Sequence, residues 1–156
     1  ILSGLVGSEM CIRDSRSGAR TSPVMQPLAK ALSEEEITAV TTTLAAMPAP
    51  KLAPVSRSQV ATGVGERLAL RGAWERQVPE CVSCHGPGGV GVGTAFPPLA
   101  GQPASYLVAQ LNAWREGTRH NDPNDLMGHI AKSLSAEEVA AVADYFATLN
   151  SQEARP

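Results

Sequence analysis

The sequence has little of what binds nucleic acid, spans a membrane or forms a zinc site. Its 13 Lys and Arg and 15 Asp and Glu give a net charge of −2 with no long run of one sign, so no nucleic-acid surface is predicted. No apolar run approaches the roughly 20 residues that cross a bilayer. We therefore expect a soluble chain that associates with membranes only through its partners. Only three cysteines are present.

Two of them lie in the pentapeptide Cys81-Val82-Ser83-Cys84-His85. Cys-x-x-Cys-His is the attachment signature of a c-type haem. Thiols three residues apart lie on one side of a helical turn, so both can bond the vinyl groups along one edge of a porphyrin. His85 then falls beneath the iron as one axial ligand.

Three other interpretations of the pentapeptide compete with haem attachment. A structural zinc site requires four ligands, usually from two nearby pairs, and Cys11 lies 70 residues before Cys81. A thioredoxin-like redox pair would lie near a strand-helix-strand pattern, whereas this neighbourhood has the pattern of helix and glycine loop. Thiols that are merely buried as small apolar groups are the third interpretation.

Met127 is the candidate for the iron's sixth ligand, because a thioether suits a haem that carries electrons at raised potential. It lies 42 residues after His85, in an irregular stretch just before a predicted helix. A methionine that fills a gap in the core is an equally good interpretation of the spacing alone. His120 and His129 are rival ligands, and either would give a bis-histidine iron.

The glycine-rich stretch 86–93 is not a phosphate-binding loop, since no Gly-Lys-Ser/Thr follows it and no strand precedes it. Its glycines are expected to let the backbone pass close to a flat cofactor. Pro97 follows, and its carbonyl can bond the other ring nitrogen of His85 and fix the orientation of the ring. A plain extended turn explains the same residues.

Residues 58–149 resemble a class I cytochrome c domain, and in particular the two-haem c-four subfamily. The resemblance is carried by the stretches 81–86, 97–102, 106–107, 110–111, 114–119 and 121–124, and by Met127. It implies an all-α class I cytochrome c fold around a covalent haem c. It also implies Met127 as the sixth ligand and Pro97 as the carbonyl partner of His85.

Three helices are predicted within this domain. The first begins at Ser56 or Ser58 and ends before Gly72, with Gly65 allowing another helix to approach closely. The second runs from Pro103 to Glu116, and the third begins at a Ser135–Glu138 capping box. The residues predicted to face inward are Val60, Val64 and Leu68, then Leu107, Gln110, Leu111 and Trp114, then Val139, Val142, Ala143 and Phe146.

An internal repeat indicates a duplication. Residues 25–40 and 127–142 are identical at nine of sixteen positions, at an offset of 102 residues. Met25 is then the would-be sixth ligand of a first haem, whose attachment motif would fall before residue 1. We expect a fragment of a longer two-haem protein, or a degenerated first unit, and the initial Ile1 favours the fragment.

The chain thus divides into five parts. Residues 1–20 lack a sustained period for helix or strand, are not a signal peptide and are interpreted as a non-native leader, so no function is expected for Cys11. The other parts are a remnant of the first cytochrome c domain (21–47), a Pro-rich linker (48–57), a complete cytochrome c domain (58–150) and a tail (151–156).

The predicted function is electron transfer, without catalysis, in a bacterial periplasm. Each chain is expected to carry one covalent haem, and the full-length protein two. The donor would be a quinol-oxidising complex or a dehydrogenase, and the acceptor a terminal oxidase or reductase. One alternative is the haem subunit of a larger dehydrogenase or sulfide-oxidising flavoprotein complex. A gas-binding or peroxidatic haem with an open sixth position is another.

Overall fold

The structure, a computed structural model, describes residues 3–47, 61–93 and 95–149. These residues contain eight α-helices. Their bounds are α1 Ser3–Ser17, α2 Met25–Ala31, α3 Glu34–Ala46, α4 Val64–Arg71, α5 Cys81–His85, α6 Ala104–Arg115, α7 Leu126–Lys132 and α8 Ala136–Thr148. Within these ranges the only β-type pairings are isolated bridges. The all-α prediction is confirmed. None of the helices described is long and apolar enough to cross a membrane.

Helices α4 and α8 cross closely in the second unit, around Gly65. A Cβ at this position would overlap the backbone carbonyl of Ala141, so only glycine permits the crossing, as predicted. The surrounding core is apolar, and its most buried members are Leu68, Ala69, Val78, Val139 and Ala143. This packing holds α4 and α8 against the short α5 that carries the Cys-x-x-Cys-His motif.

The predicted second and third helices are confirmed. Helix α6 is preceded by Pro103 and followed by Glu116 and then Gly117, whose φ is 72°. Helix α8 begins at the Ser135–Glu138 capping box. All four residues predicted to face inward from α8 are buried.

The first helix is predicted to begin at Ser56 or Ser58, and these residues and Val60 lie outside the described residues. Where the structure does describe the predicted helix, the prediction is wrong for residues 61–63, which are not helical. Helix α4 begins at Val64, because the Glu66 carboxylate accepts hydrogen bonds from the backbone and hydroxyl of Thr62 and Gly63 is extended. Val64 is 46% exposed, so it does not face inward, whereas Leu68 does. Residues 48–60 and 150–156, which include the predicted linker and tail, lie outside the described residues.

The repeat seen in the sequence is also a repeat of structure. Helices α2 and α3 correspond to α7 and α8, and the Ser33–Glu36 capping box corresponds to Ser135–Glu138. Ile37 is fully buried at the position equivalent to Val139. The first unit therefore keeps the last part of the fold seen in the second.

Residues 3–17 form a helix that the sequence pattern does not predict. Ile12 packs with Ala29 and Ile37 of the first unit. The Arg16 guanidinium donates to the carbonyl oxygens of Ala29 (2.9 Å) and Leu32, at the carboxyl end of α2. This position favours a cation. Because these contacts join residues distant in sequence, no local periodicity reveals them.

Candidate haem-attachment site

Helix α5 presents the two thiols predicted to attach haem. Cys81 and Cys84 are half-buried and free. Val82, between them, is buried and anchors the helix to the core. Three-residue spacing on one helical turn brings both sulfurs to the same side, as two thioether bonds to one porphyrin require.

The environment of Cys81 differs from that of a redox-active thiol. Burial raises the pKa of Cys81 to about 12, whereas the reactive thiol of a thioredoxin-like pair has a lowered pKa. The Cys81 sulfur also lies 3.9 Å from the carbonyl oxygen of Leu68. These features favour a thiol that stays neutral until it is covalently modified.

His85 is held in the form that a metal ligand requires. The side chain is buried, and its Nδ1 lies 2.7 Å from the carbonyl oxygen of Pro97. A carbonyl only accepts, so Nδ1 carries the proton and Nε2 has a free lone pair. Burial lowers the pKa of His85 although the Pro97 contact raises it, and the neutral imidazole is the form that binds a metal.

The glycine loop after α5 brings the chain back to Pro97. Gly89 and Gly91 have φ angles of 77° and 87°; a Cβ on the first would meet the Phe146 ring at 2.7 Å, and one on the second would meet Pro98 N at 2.9 Å. At these two positions the neighbours that require glycine include protein atoms. The loop is therefore fixed by packing on α8 and on the segment after Pro97.

Met127 is the second residue of α7 and is half-buried, so the prediction that it lies in an irregular stretch before a helix is wrong. One carboxylate oxygen of Asp122 accepts from the backbone N–H of Met127 (2.7 Å) and of Gly128 (3.1 Å), and the other accepts from Trp114 Nε1 (2.9 Å). Sequence reasoning assigned no role to Asp122. The signal available was an aspartate just before the Pro123 turn, which precedes the helix.

The rival interpretations gain no support from the geometry. The side chains of His120 and His129 are exposed. Cys11 lies on α1, in the first unit. Over the described stretches, no three His, Cys, Asp or Glu side chains are grouped to hold a metal ion, as a zinc site would require.

The residues present fit haem c. They supply two free thiols, an imidazole with an available Nε2 and a methionine thioether. Apolar side chains near the two candidate ligands in sequence are left open to solvent, namely Val90 and Val92, each 48% exposed, and Leu126, 43% exposed. An apolar porphyrin face is a suitable cover for such side chains.

Comparison with known proteins gives consistent matches. The family model described as Cytochrome c matches residues 75–150. The thiosulfate dehydrogenase electron acceptor of Stutzerimonas stutzeri is 68% identical over 140 residues, which is 90% of this chain and 65% of the relative. Cytochrome c4 of Pseudomonas aeruginosa is 35% identical over 141 residues, which is 89% of this chain and 69% of the relative.

Solved structures are similar as well. Thiosulfate dehydrogenase (TsdBA) from Marichromatium purpuratum superposes with a TM-score of 0.81 at 46% identity, covering 93% of this chain and 31% of that one. Cytochrome c4 of Acidithiobacillus ferrooxidans gives a TM-score of 0.75 at 30% identity, covering 93% and 85%.

The chain spans just under two thirds of the length of the thiosulfate dehydrogenase electron acceptors that it matches, 65% in one case and 63% in another. It spans more than two thirds of cytochrome c4 from Pseudomonas aeruginosa, at 35% identity. By sequence, by fold and by its Cys-x-x-Cys-His helix, the chain belongs to the cytochrome c family of electron-transfer proteins that carry covalent haem c.

Proposed function

We propose that this chain transfers single electrons through one haem c, attached to Cys81 and Cys84 and ligated by His85 and Met127. The observation that best supports the proposal is the His85–Pro97 contact of 2.7 Å, because it leaves Nε2 available beside two free thiols. When bound, haem c supplies an iron that cycles between the ferric and ferrous states.

The protein's residues would keep the iron's surroundings constant during that cycle. Pro97 fixes the His85 ring, and Asp122 fixes the start of the helix that bears Met127. A site whose ligands do not rearrange is suited to electron transfer, and one whose sixth position is filled leaves no place for a substrate. This arrangement favours electron transfer over the open-site alternative.

We infer that the electron donor is a dehydrogenase acting on an inorganic sulfur compound. Two relatives, at 68% and 44% identity, are named thiosulfate dehydrogenase electron acceptors, and a similar solved structure is a thiosulfate dehydrogenase. Among the expected donors, these names favour a dehydrogenase over a quinol-oxidising complex. The acceptor would be a terminal oxidase or reductase, and the compartment the periplasm.

We also propose that the full-length protein has two haem units. Val40 and Leu44 on α3 are 41% and 47% exposed, whereas the equivalent Val142 and Phe146 on α8 are 5% and 2% exposed against α4 and the glycine loop. The apolar face of α3 thus lacks the elements that cover its counterpart. Met25, at the start of α2, would be the sixth ligand of the first haem.

The test uses the holoprotein, expressed behind a secretion signal with haem-attachment machinery. A haem-stained denaturing gel and a pyridine haemochrome assay should give one haem per chain of this length. Ferric holoprotein should then be reduced rapidly by thiosulfate plus purified thiosulfate dehydrogenase, and not by thiosulfate alone.

Three results would contradict the proposal in different ways. Absence of covalent haem would remove the electron-transfer function itself. Haem that is reduced by ascorbate, but not by the dehydrogenase with thiosulfate, would remove only the proposed donor. Carbon monoxide binding to the reduced native protein would favour the open-site alternative.

A further inference from the structure

Asp122 is hydrogen-bonded both to the backbone N–H of Met127, the candidate axial ligand, and to the side chain of the buried Trp114. We propose that Asp122 is a positioning residue that holds Met127 on the haem iron; this inference rests on the proposed ligation by Met127. The carboxylate accepts three hydrogen bonds at 2.7 to 3.1 Å, two from the start of α7 and one from Trp114.

The backbone N–H groups at the start of α7 favour a negatively charged hydrogen-bond acceptor. The first N–H groups of a helix have no partner within the helix, and a carboxylate there forms charge-assisted hydrogen bonds. One Asp122 oxygen bonds two of these groups, including the N–H of Met127 itself. Because the other oxygen bonds Trp114, the carboxylate cannot rotate without breaking a bond.

The turn before α7 needs such a restraint. Asn124 and Asp125 both have positive φ angles, 60° and 53°, a region that non-glycine residues occupy at a cost in free energy. A strained turn stays in place only where surrounding contacts determine its conformation. Asp122 supplies contacts on the far side of this turn, so its loss should let the start of α7 shift.

Trp114 is a firm anchor for the carboxylate. It is 8% exposed on α6, and the Arg119 guanidinium lies over its ring at 3.8 Å. Arg119 is itself held by Gln110 (2.8 Å) and Asn121 (2.9 Å). Met127 is therefore positioned by contacts that lead to helix α6, and not by a loop alone.

The first unit satisfies the same backbone group differently. There the N–H of Met25 donates to the hydroxyl oxygen of Ser22 at 3.1 Å. A side-chain acceptor thus meets the methionine N–H in both units, but only the second unit uses a charged group that is tied to a tryptophan. We therefore infer that Met127 is more strongly restrained than Met25.

The test is the substitution Asp122→Asn in the holoprotein, with Asp144→Asn as the matched control. The amide keeps the shape of the carboxylate but cannot accept from all three donors. Asp144 loses the same charge at an exposed position on α8, away from the turn that precedes α7. Imidazole is the probe, since it binds ferric iron only when Met127 leaves.

We expect Asp122→Asn to raise the apparent affinity for imidazole about tenfold or more, the effect of a shift of about 1.4 kcal/mol in the competing Met127-bound state. The ferric thioether-to-iron charge-transfer band should weaken, and the Met127 amide should exchange faster with solvent. Asp144→Asn should match the wild type. Trp114→Phe, which removes one donor and keeps the carboxylate, should give a smaller change in the same direction.

The proposal would be overturned if both Asp122→Asn and Trp114→Phe kept the wild-type affinity for imidazole, the wild-type charge-transfer band and the wild-type exchange rate of the Met127 amide. If Asp122→Asn fails to attach haem, Trp114→Phe decides alone. Failure of the underlying function looks different: a wild-type protein without the thioether band, and with the same spectrum as Met127→Ala, would show that Met127 is not the ligand.

Discussion

Arg20 and Arg119 face each other across an antiparallel backbone bridge and occupy equivalent places in the two units. The bridge contains two reciprocal hydrogen bonds, from Thr21 N–H to Thr118 O at 3.3 Å and from His120 N–H to Ala19 O at 3.2 Å. Residues 16–20 read Arg-Ser-Gly-Ala-Arg, and residues 115–119 read Arg-Glu-Gly-Thr-Arg, at an offset of 99 residues. The contact between the units is therefore nearly two-fold symmetric.

This symmetry extends the repeat upstream of Met25. Helix α1 relates to α2 and α3 as α6 relates to α7 and α8, and Gly18 and Gly117 both follow the first helix of the set with positive φ angles, 91° and 72°. We therefore propose that the first unit includes α1 and does not begin at residue 21. The second unit has three more residues between the bridge and its methionine, in the turn that Asp122 restrains.

Replacing Met127 should open the iron's sixth position. We expect reduced Met127→Ala holoprotein to bind carbon monoxide, and the wild type not to react. Met127→His should stay unreactive but have a lower reduction potential, within the roughly 0.8 V range that axial ligands span. Visible spectra and potentiometric titration measure both, with Met25→Ala as the matched control that should behave as the wild type. An unreactive Met127→Ala would point to another ligand.

The parts of this architecture that could be predicted from sequence are those encoded locally. The Ser135–Glu138 cap, the proline and glycine that bound α6, and the haem motif each depend on a few neighbouring residues. The start of α4 was not predicted, because it depends on the Glu66 side chain, which accepts a hydrogen bond from the earlier residue Thr62. The helicity of α1 was not predicted either, because it depends on contacts between Arg16 and α2. Asp122 was missed for the same reason, since its partners lie in two different helices.

Gly65→Ala should strongly destabilise the second unit. The new methyl group would overlap the backbone of Ala141, which cannot move without separating α4 from α8. We expect the free energy of unfolding to fall by about 3 kcal/mol, the upper part of the range for overpacking. Urea unfolding of the holoprotein measures this. Gly63→Ala is the control, because a Cβ there has nothing within 4 Å, and equal effects of both substitutions would contradict the close crossing.

The Arg76–Glu138 ion pair should make stability depend on acid pH. Arg76 donates to both Glu138 oxygens, at 2.9 and 2.7 Å, and lowers the pKa of Glu138 below its usual 4.5. The carboxylate thus contributes stability above pH 4.5, and this is lost as pH falls through the lowered folded-state pKa. Because the Arg76 side chain is 37% exposed, solvent screening keeps the contribution of the pair to stability small.

Glu138→Gln isolates that contribution, since glutamine still completes the capping box with Ser135. Urea unfolding of the holoprotein at a series of pH values should show the wild type more stable at neutral pH, with the difference vanishing in acid. Asp144→Asn, an exposed change on the same helix, should show neither effect. A difference between wild type and Glu138→Gln that persists at low pH would mean that packing, and not charge, is responsible.

Loss of covalent haem should unfold much of the second unit. A domain of about 90 residues buries limited apolar area by side chains alone, and Val90, Val92 and Leu126 are left 43–48% exposed by protein contacts. A group that binds only the folded state stabilises it. Cys81→Ser/Cys84→Ser should therefore lose haem staining, far-UV helix signal and amide protection in α4 and α8, whereas Cys11→Ser should keep all three. Full helix signal and amide protection in the haem-free double variant would show that side-chain packing is sufficient.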